Sequence, residues 1–164
     1  MKKKHPKTNA IRLLEKHGVG YELRYYDVDE RDLSAGYVAQ AIGFPPPQVF
    51  KTLVVQGNST GILIACIPTN AELDLKELAH VSGNKKVELV PVKEIQSLTG
   101  YVRGGVSPVG TKKQYPVYLD ESAFVYDTIS LSAGVRGCQM LVSPIELANV
   151  IEIKRFAIKK NGAQ

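Results

Sequence analysis

The chain has no tryptophan, two cysteines, two methionines and three histidines. Two cysteines are too few for a disulfide framework, so stability has to come from a packed core. His5, His17 and His80 stand near neither one another nor Cys66 or Cys138, and no group of residues has the spacing of a metal site. No apolar run approaches the ~20 residues of a membrane-spanning helix. The start, Met1-Lys2-Lys3-Lys4-His5-Pro6-Lys7, is basic but leads into no apolar signal segment, so no membrane association and a cytoplasmic location are expected. Internal repeats and low-complexity tracts are lacking. The glycine runs do not sit between a strand and a helix in the way a P-loop or a Rossmann turn requires, which removes both nucleotide-binding readings.

What is present suits an ordinary globular domain. At 164 residues, 44% hydrophobic and 23% charged, the chain is long enough for one well-buried core. The net charge of +5 is unevenly placed. Lys2, Lys3, Lys4 and Lys7 supply four of 21 basic residues, leaving 17 against 16 acidic ones. The body is therefore nearly neutral, and the basic excess belongs to a short arm that is either solvated or weakly attracted to acidic surfaces. The expected organisation is a basic flexible arm over 1–8, a single domain over 9–157 and a flexible tail over 158–164.

Local signals predict a helix from Thr8 to Lys16, capped by Thr8 and stopped by Gly18. A strand follows over Tyr21 to Tyr26, then a helix from Ser34 to Ile42 ended by Gly43, then an extended linker at Pro45-Pro46-Pro47. Val49 to Gln56 and Ile62 to Ile67 read as a hairpin apolar on both faces, the centre of a covered sheet. Asp74 opens a helix with Leu75, Leu78 and Ala79 inward. Lys86 to Leu89 is a short strand, and Pro91 to Leu98 a helix ending at Gly100. Three more strands follow over Tyr115 to Leu119, Thr128 to Leu131 and Gln139 to Val142. Ser143-Pro144-Ile145-Glu146 is a capping box, and Ile151 to Phe156 a last strand. Hairpins among peripheral helices make this an α+β fold with a mixed sheet.

Three features carry chemistry. Gly104-Gly105-Val106-Ser107-Pro108-Val109-Gly110 and Ser130-Leu131-Ser132-Ala133-Gly134-Val135-Arg136-Gly137 are glycine-rich, and each carries or adjoins a basic residue. Such loops are tight turns, or they uncover N–H groups for a phosphate-bearing ligand. Lys51 lies in the otherwise apolar Val49-Phe50-Lys51-Thr52-Leu53-Val54-Val55. An ammonium there is costly unless it snorkels from a sheet edge or reaches into a cleft to hold an anion. Thr52 points to the opposite face of a regular strand.

Phe50-Lys51-Thr52-Leu53, Pro68-Thr69-Asn70 with Leu73-Asp74-Leu75-Lys76, Lys85-Lys86-Val87-Glu88, Thr99-Gly100-Tyr101 and the two glycine-rich runs occur here in one order. That ordered set, spanning roughly Ile11 to Ile151, resembles the bacterial YbaK/EbsC proteins. These are free-standing editing deacylases related to the insertion domain of bacterial prolyl-tRNA synthetase, and the likeness leans to the branch that hydrolyses Cys-tRNA(Pro) and Cys-tRNA(Cys). The resemblance implies a mixed, mostly antiparallel, partly barrel-like sheet with helices around it. It implies that Lys51 sits near the terminal adenosine and that backbone N–H groups of the Gly104–Gly110 loop hold the ester. Lys51, Gly105 and Ser107 are then the expected catalytic positions. Tyr26, Thr52, Thr69, Gly104, Pro108, Gly110, Ser132, Gly134, Arg136 and Gly137 are the expected substrate-binding ones. No cofactor or metal is implied; the partners are the aminoacyl-tRNA acceptor end and prolyl-tRNA synthetase.

No Ser-His-Asp or Cys-His arrangement is available to catalyse hydrolysis. The resemblance implies instead that the substrate's own thiol attacks its ester, which would separate cysteine from serine or alanine. Two other readings stay open: a deacylase for Ala-tRNA(Pro) or another mischarged tRNA using water, and a non-catalytic tRNA- or nucleotide-binding module that docks on a synthetase.

Overall fold

The computed structural model describes residues 7–161 apart from Glu30 and Leu33; the greater part of the basic arm and the last three residues lie outside it. Its elements begin with α1 (Asn9–Lys16), β1 (Glu22–Tyr25) and α2 (Ala35–Ile42). A central hairpin follows, β2 (Phe50–Gly57) and β3 (Gly61–Pro68), then α3 (Leu75–Ser82), β4 (Val87–Leu89) and α4 (Ile95–Thr99). The C-terminal part holds β5 (Val117–Asp120), β6 (Ile129–Val135), β7 (Cys138–Val142), α5 (Pro144–Leu147) and β8 (Ile153–Phe156).

Local chemistry sets most of the helix ends. The hydroxyls of Thr8, Ser34 and Ser143 and the carboxylate of Asp74 each accept a backbone N–H from the first turn of their helices. Gly43, Gly83 and Gly100 close α2, α3 and α4 in the left-handed conformation. Two local expectations are corrected. Pro45-Pro46-Pro47 does not stay extended: Pro46–Gln48 winds into a 3-10 turn, because proline's fixed φ also suits a first helical turn. Leu75 is 39% exposed rather than inward, since it sits at the first position of α3 while Leu78 and Ala79 take the core side.

The strands form two sheets, ordered β1-β7-β6 and β4-β2-β3-β5-β8. Four pairings are antiparallel and two, β3 with β5 and β5 with β8, are parallel. The sheets meet at one seam, a parallel bridge between Val49 and Ser130. This gives the mixed, mostly antiparallel α+β architecture, with a barrel that is joined along this seam and not closed. Side chains alternate across it. Phe50, Val54, Ile64, Leu131 and Met140 fill the main core between the sheets. On the outer face Val55, Leu63 and Ile67 pack under α3, while Val49 meets Ala39 and Ile42 of α2.

The described residues just beyond β8 are held against the larger sheet and α3. Ile158 is fully buried and its C=O accepts the N–H of Asp74. Both oxygens of the buried Asp120 carboxylate are used. One accepts the N–H groups of Ile158 and Lys159, the other the N–H and hydroxyl of Ser122.

Candidate active site

A cavity of about 340 Å³ opens at the seam, where β2 and β6 diverge beyond the Val49–Ser130 bridge. Its floor runs from Val49 along the edge of β2 to Val54. One wall is β6 and β7 through Ser132 and Gln139, and a second is the glycine-rich loop through Gly104 and Val106. Val38 of α2 and the stretch from Leu89 to Ile95 complete it.

The floor is an unpaired strand edge. β2 pairs with β4 only over Val55–Gly57, after which the N–H of Val90 donates to the C=O of Val54. By alternation the N–H and C=O of Thr52 point the same way as those of Val54, into the gap where β4 is absent. The Thr52 hydroxyl turns from this face, as its parity predicts, and lies 3.7 Å from Cys66 Sγ in the core. Burial pushes the Cys66 thiol up to about 12, which leaves it an inert core group.

Lys51 reaches outward. Its ammonium lies 3.4 Å from the C=O of Thr69, and Thr69 donates its own hydroxyl to Pro46. Burial lowers the Lys51 pKa, and the carboxylate of Glu72, itself ion-paired to Lys160 at 3.0 Å, offsets part of that. Arg103 is the other cation at the cavity. Among the described residues no aspartate, glutamate, histidine or cysteine lines it.

The two glycine-rich loops lie against each other. Arg136 Nε donates to the C=O of Arg103 at 2.7 Å, and an added Cβ at Gly105 would come within 3.0 Å of the Arg136 nitrogen. At Gly110, φ is +78° and a Cβ would stand 2.8 Å from the backbone of Asn9 and Ala10 and from the Tyr101 hydroxyl. At Gly134 it would strike the Tyr101 ring at 2.8 Å. These glycines let two loops and the start of α1 share one volume.

The structure thus brings Lys51, Thr52, Thr69, Gly104 and Ser132 to one cavity and leaves the other expected site residues off its walls. The Gly105 N–H donates to the C=O of Val102 at 2.8 Å. Ser107 is fully buried and its hydroxyl accepts the N–H of Val109. Pro108 and Gly110 are part of the loop's packed side. The C=O of Gly137 accepts the N–H of Tyr26 and Gly137 closes the β6–β7 turn, while Gly134 lies in the irregular part of β6 between Ser132 and Val135. Tyr26 and Arg136 meet in a small adjoining crevice that shares Val38 and Gly104 with the cavity. Sequence patterns missed Val38, Arg103, the exposed lip Leu89 and Val92, and Gln139. Only for Gln139 was there a signal: it is the one polar residue in Cys138-Gln139-Met140-Leu141-Val142.

Among the described residues no cluster of metal-ligating side chains occurs, both cysteines are free, and no helix is long and apolar enough to cross a membrane. Comparison with known proteins gives this cavity its context. A candidate Cys-tRNA(Pro)/Cys-tRNA(Cys) deacylase, EbsC of Enterococcus faecalis, is 50% identical over 143 residues, 87% of each chain. A proline–tRNA ligase of Shouchella clausii is 28% identical over 99 residues, 60% of this chain and 17% of the ligase. A solved structure described as a candidate trans-editing enzyme for prolyl-tRNA synthetase superposes with a TM-score of 0.79 at 26% identity, over 92% of this chain and 94% of that one. The family model for the aminoacyl-tRNA editing domain matches residues 33–150, a span that holds the whole cavity. The chain belongs to the aminoacyl-tRNA editing domain family.

Proposed function

We propose that the protein is a trans-editing deacylase that hydrolyses the ester of Cys-tRNA(Pro) and Cys-tRNA(Cys). The observation that carries this is the make-up of the cavity: two cations and several hydrogen-bond donors, with no histidine, cysteine or carboxylate among the described residues that line it to activate a hydroxyl or a water. Such a site suits an anionic ligand that brings its own reacting group. Lys51 holds the phosphate or ribose end of the terminal adenosine, and the apolar walls take the acyl group. The cysteinyl sulfur attacks its own carbonyl carbon. A C–S bond forms, the C–O bond to the ribose breaks, and the thiol proton passes to the departing ribose oxygen. Water then opens the strained four-membered thioester to free cysteine. A thiol of pKa about 8.5 is partly ionised at neutral pH, and fixing its rotamer beside the carbonyl supplies the proximity that the protein needs to contribute.

This chemistry belongs where tRNA is charged, in the cytoplasm. The near-neutral body offers few phosphate contacts, which dominate affinity for nucleic acid. Prolyl-tRNA synthetase as a docking partner would supply the missing tRNA specificity.

The test is a deacylation assay with a panel of aminoacyl-tRNAs. Cys-tRNA(Pro) should lose its amino acid at least roughly tenfold faster than Ser-tRNA(Pro) or Ala-tRNA(Pro), since those lack the thiol. Lys51→Ala should slow the reaction by about 10²-fold, the scale of a misplaced substrate. Equal rates on serine would remove thiol assistance, and full activity of Lys51→Ala would remove Lys51 from the site.

A further inference from the structure

Gln139 is 4% exposed, yet it lines the cavity beside Ser132, its partner across the β6–β7 ladder. Its Oε1 accepts the hydroxyl of Ser130 at 2.8 Å, and Ser130 is itself fully buried. That bond fixes the amide plane. No acceptor among the described residues meets Nε2, although no fully buried side-chain polar atom in them lacks a partner. Nε2 is therefore not fully buried, and because Gln139 lines the cavity its NH₂ edge opens there. An amide buried except at this edge, with its other end tethered, presents a held donor to whatever fills the cavity.

We propose that Gln139 Nε2 is the side-chain donor to the acyl carbonyl oxygen of the substrate, and that Ser130 positions it. This rests on the deacylase reading above. An NH₂ group can only donate, so the ligand must present an acceptor. Of the Gly104–Gly110 N–H groups expected to serve the carbonyl, that of Gly105 already donates to Val102. Lys51 lies on the same outer face but is tethered toward Thr69, at the far side of the seam from β7. Gln139 is a neutral, pre-oriented donor among apolar walls, where charge developing on a carbonyl oxygen benefits most from a fixed dipole.

The experiment measures single-turnover rates and KM of the full chain on Cys-tRNA(Pro), with Gln139→Leu and Gln139→Glu beside the unaltered protein. Gln139→Leu should lower kcat by roughly 10²–10³-fold, the loss seen when one oxyanion donor is removed, with KM changed less than about threefold. Gln139→Glu keeps the acceptor for Ser130 but faces the cavity with a carboxylate. Burial raises that carboxyl's pKa, and its protonated form regains a donor. Its rate relative to the unaltered protein should therefore climb as pH falls from about 8 to about 5. A structural role alone would give no such climb, and this profile decides the matter if Gln139→Leu does not fold. Retention of kcat in Gln139→Leu, a loss confined to KM, or a flat relative profile in Gln139→Glu would overturn the proposal while leaving the deacylase reading intact. An unaltered protein inactive on every aminoacyl-tRNA tested would overturn both.

Discussion

At the scale of single residues, the glycines and Lys51 show opposite relations between stability and function. Gly110 exists for packing. With φ at +78° and three heavy atoms 2.8 Å from where a Cβ would stand, Gly110→Ala combines left-handed strain with an unrelieved clash. It should cost about 2–5 kcal/mol, read from urea unfolding. Gly18 has a similar φ of +69° but open space around it, so Gly18→Ala should cost only about 1 kcal/mol. Equal costs would mean that the loop at Gly110 can move away from α1. Lys51 is the reverse case. Burial lowers its pKa below the ordinary 10.5, so the folded protein binds that proton less tightly than the unfolded chain does. Its charge opposes folding at neutral pH, and the penalty fades as pH rises from the lowered folded value toward 10.5. Lys51→Met should raise the melting temperature at pH 7, with a gain that shrinks toward pH 10, while deacylation falls by about 10²-fold. A variant less stable at pH 7 would show that the Lys51 ammonium supports the fold.

Among elements, the contact that sets the cavity wall is between two loops. Arg136 Nε holds the C=O of Arg103, one residue before Gly104 enters the wall. Lysine has no Nε–H to place there, so Arg136→Lys should behave much as Arg136→Ala does. Both should lower kcat/KM by roughly tenfold through a loosened wall and speed amide exchange at Gly104 and Gly105, with little change in melting temperature. Unchanged exchange would show that the glycine packing alone holds the loop. The same pair of loops marks what the sequence could and could not show. Thr8, Ser34, Asp74 and Ser143 announce their helices because a cap is chemistry within a few residues. The glycine-rich runs announce a close approach, but not its partner. Their glycines face each other and α1, and only Gly104 reaches the cavity. Gln139 becomes visible only once β6 and β7 are in register, which no local pattern contains.

For the whole molecule, the question is what keeps the larger sheet and its C-terminal extension together. β5 and β8 join by parallel pairing, which leaves chain ends to be tied by other means. Asp120, at the end of β5, does this. Its fully buried carboxylate accepts from Ile158 and Lys159 on one oxygen and from Ser122 on the other, and Ile158 in turn accepts from Asp74 at the cap of α3. One side chain thus connects the sheet, the C-terminal extension and the helix covering the outer face. Asp120→Ala leaves several N–H groups without an acceptor, two of them on the C-terminal extension. At about 1–3 kcal/mol for each buried one, the loss should reach roughly 3 kcal/mol or more in urea unfolding. Asp120→Asn keeps the acceptor for Ile158 and Lys159 but presents an NH₂ to Ser122, so it should fall between Asp120→Ala and the unaltered protein. Asp120 is not among the residues lining the cavity, so kcat per folded molecule should stay unchanged in both variants while the unfolding midpoint drops. A fall in kcat below the midpoint, with the protein fully folded, would show that the tie at Asp120 also shapes the cavity at the seam.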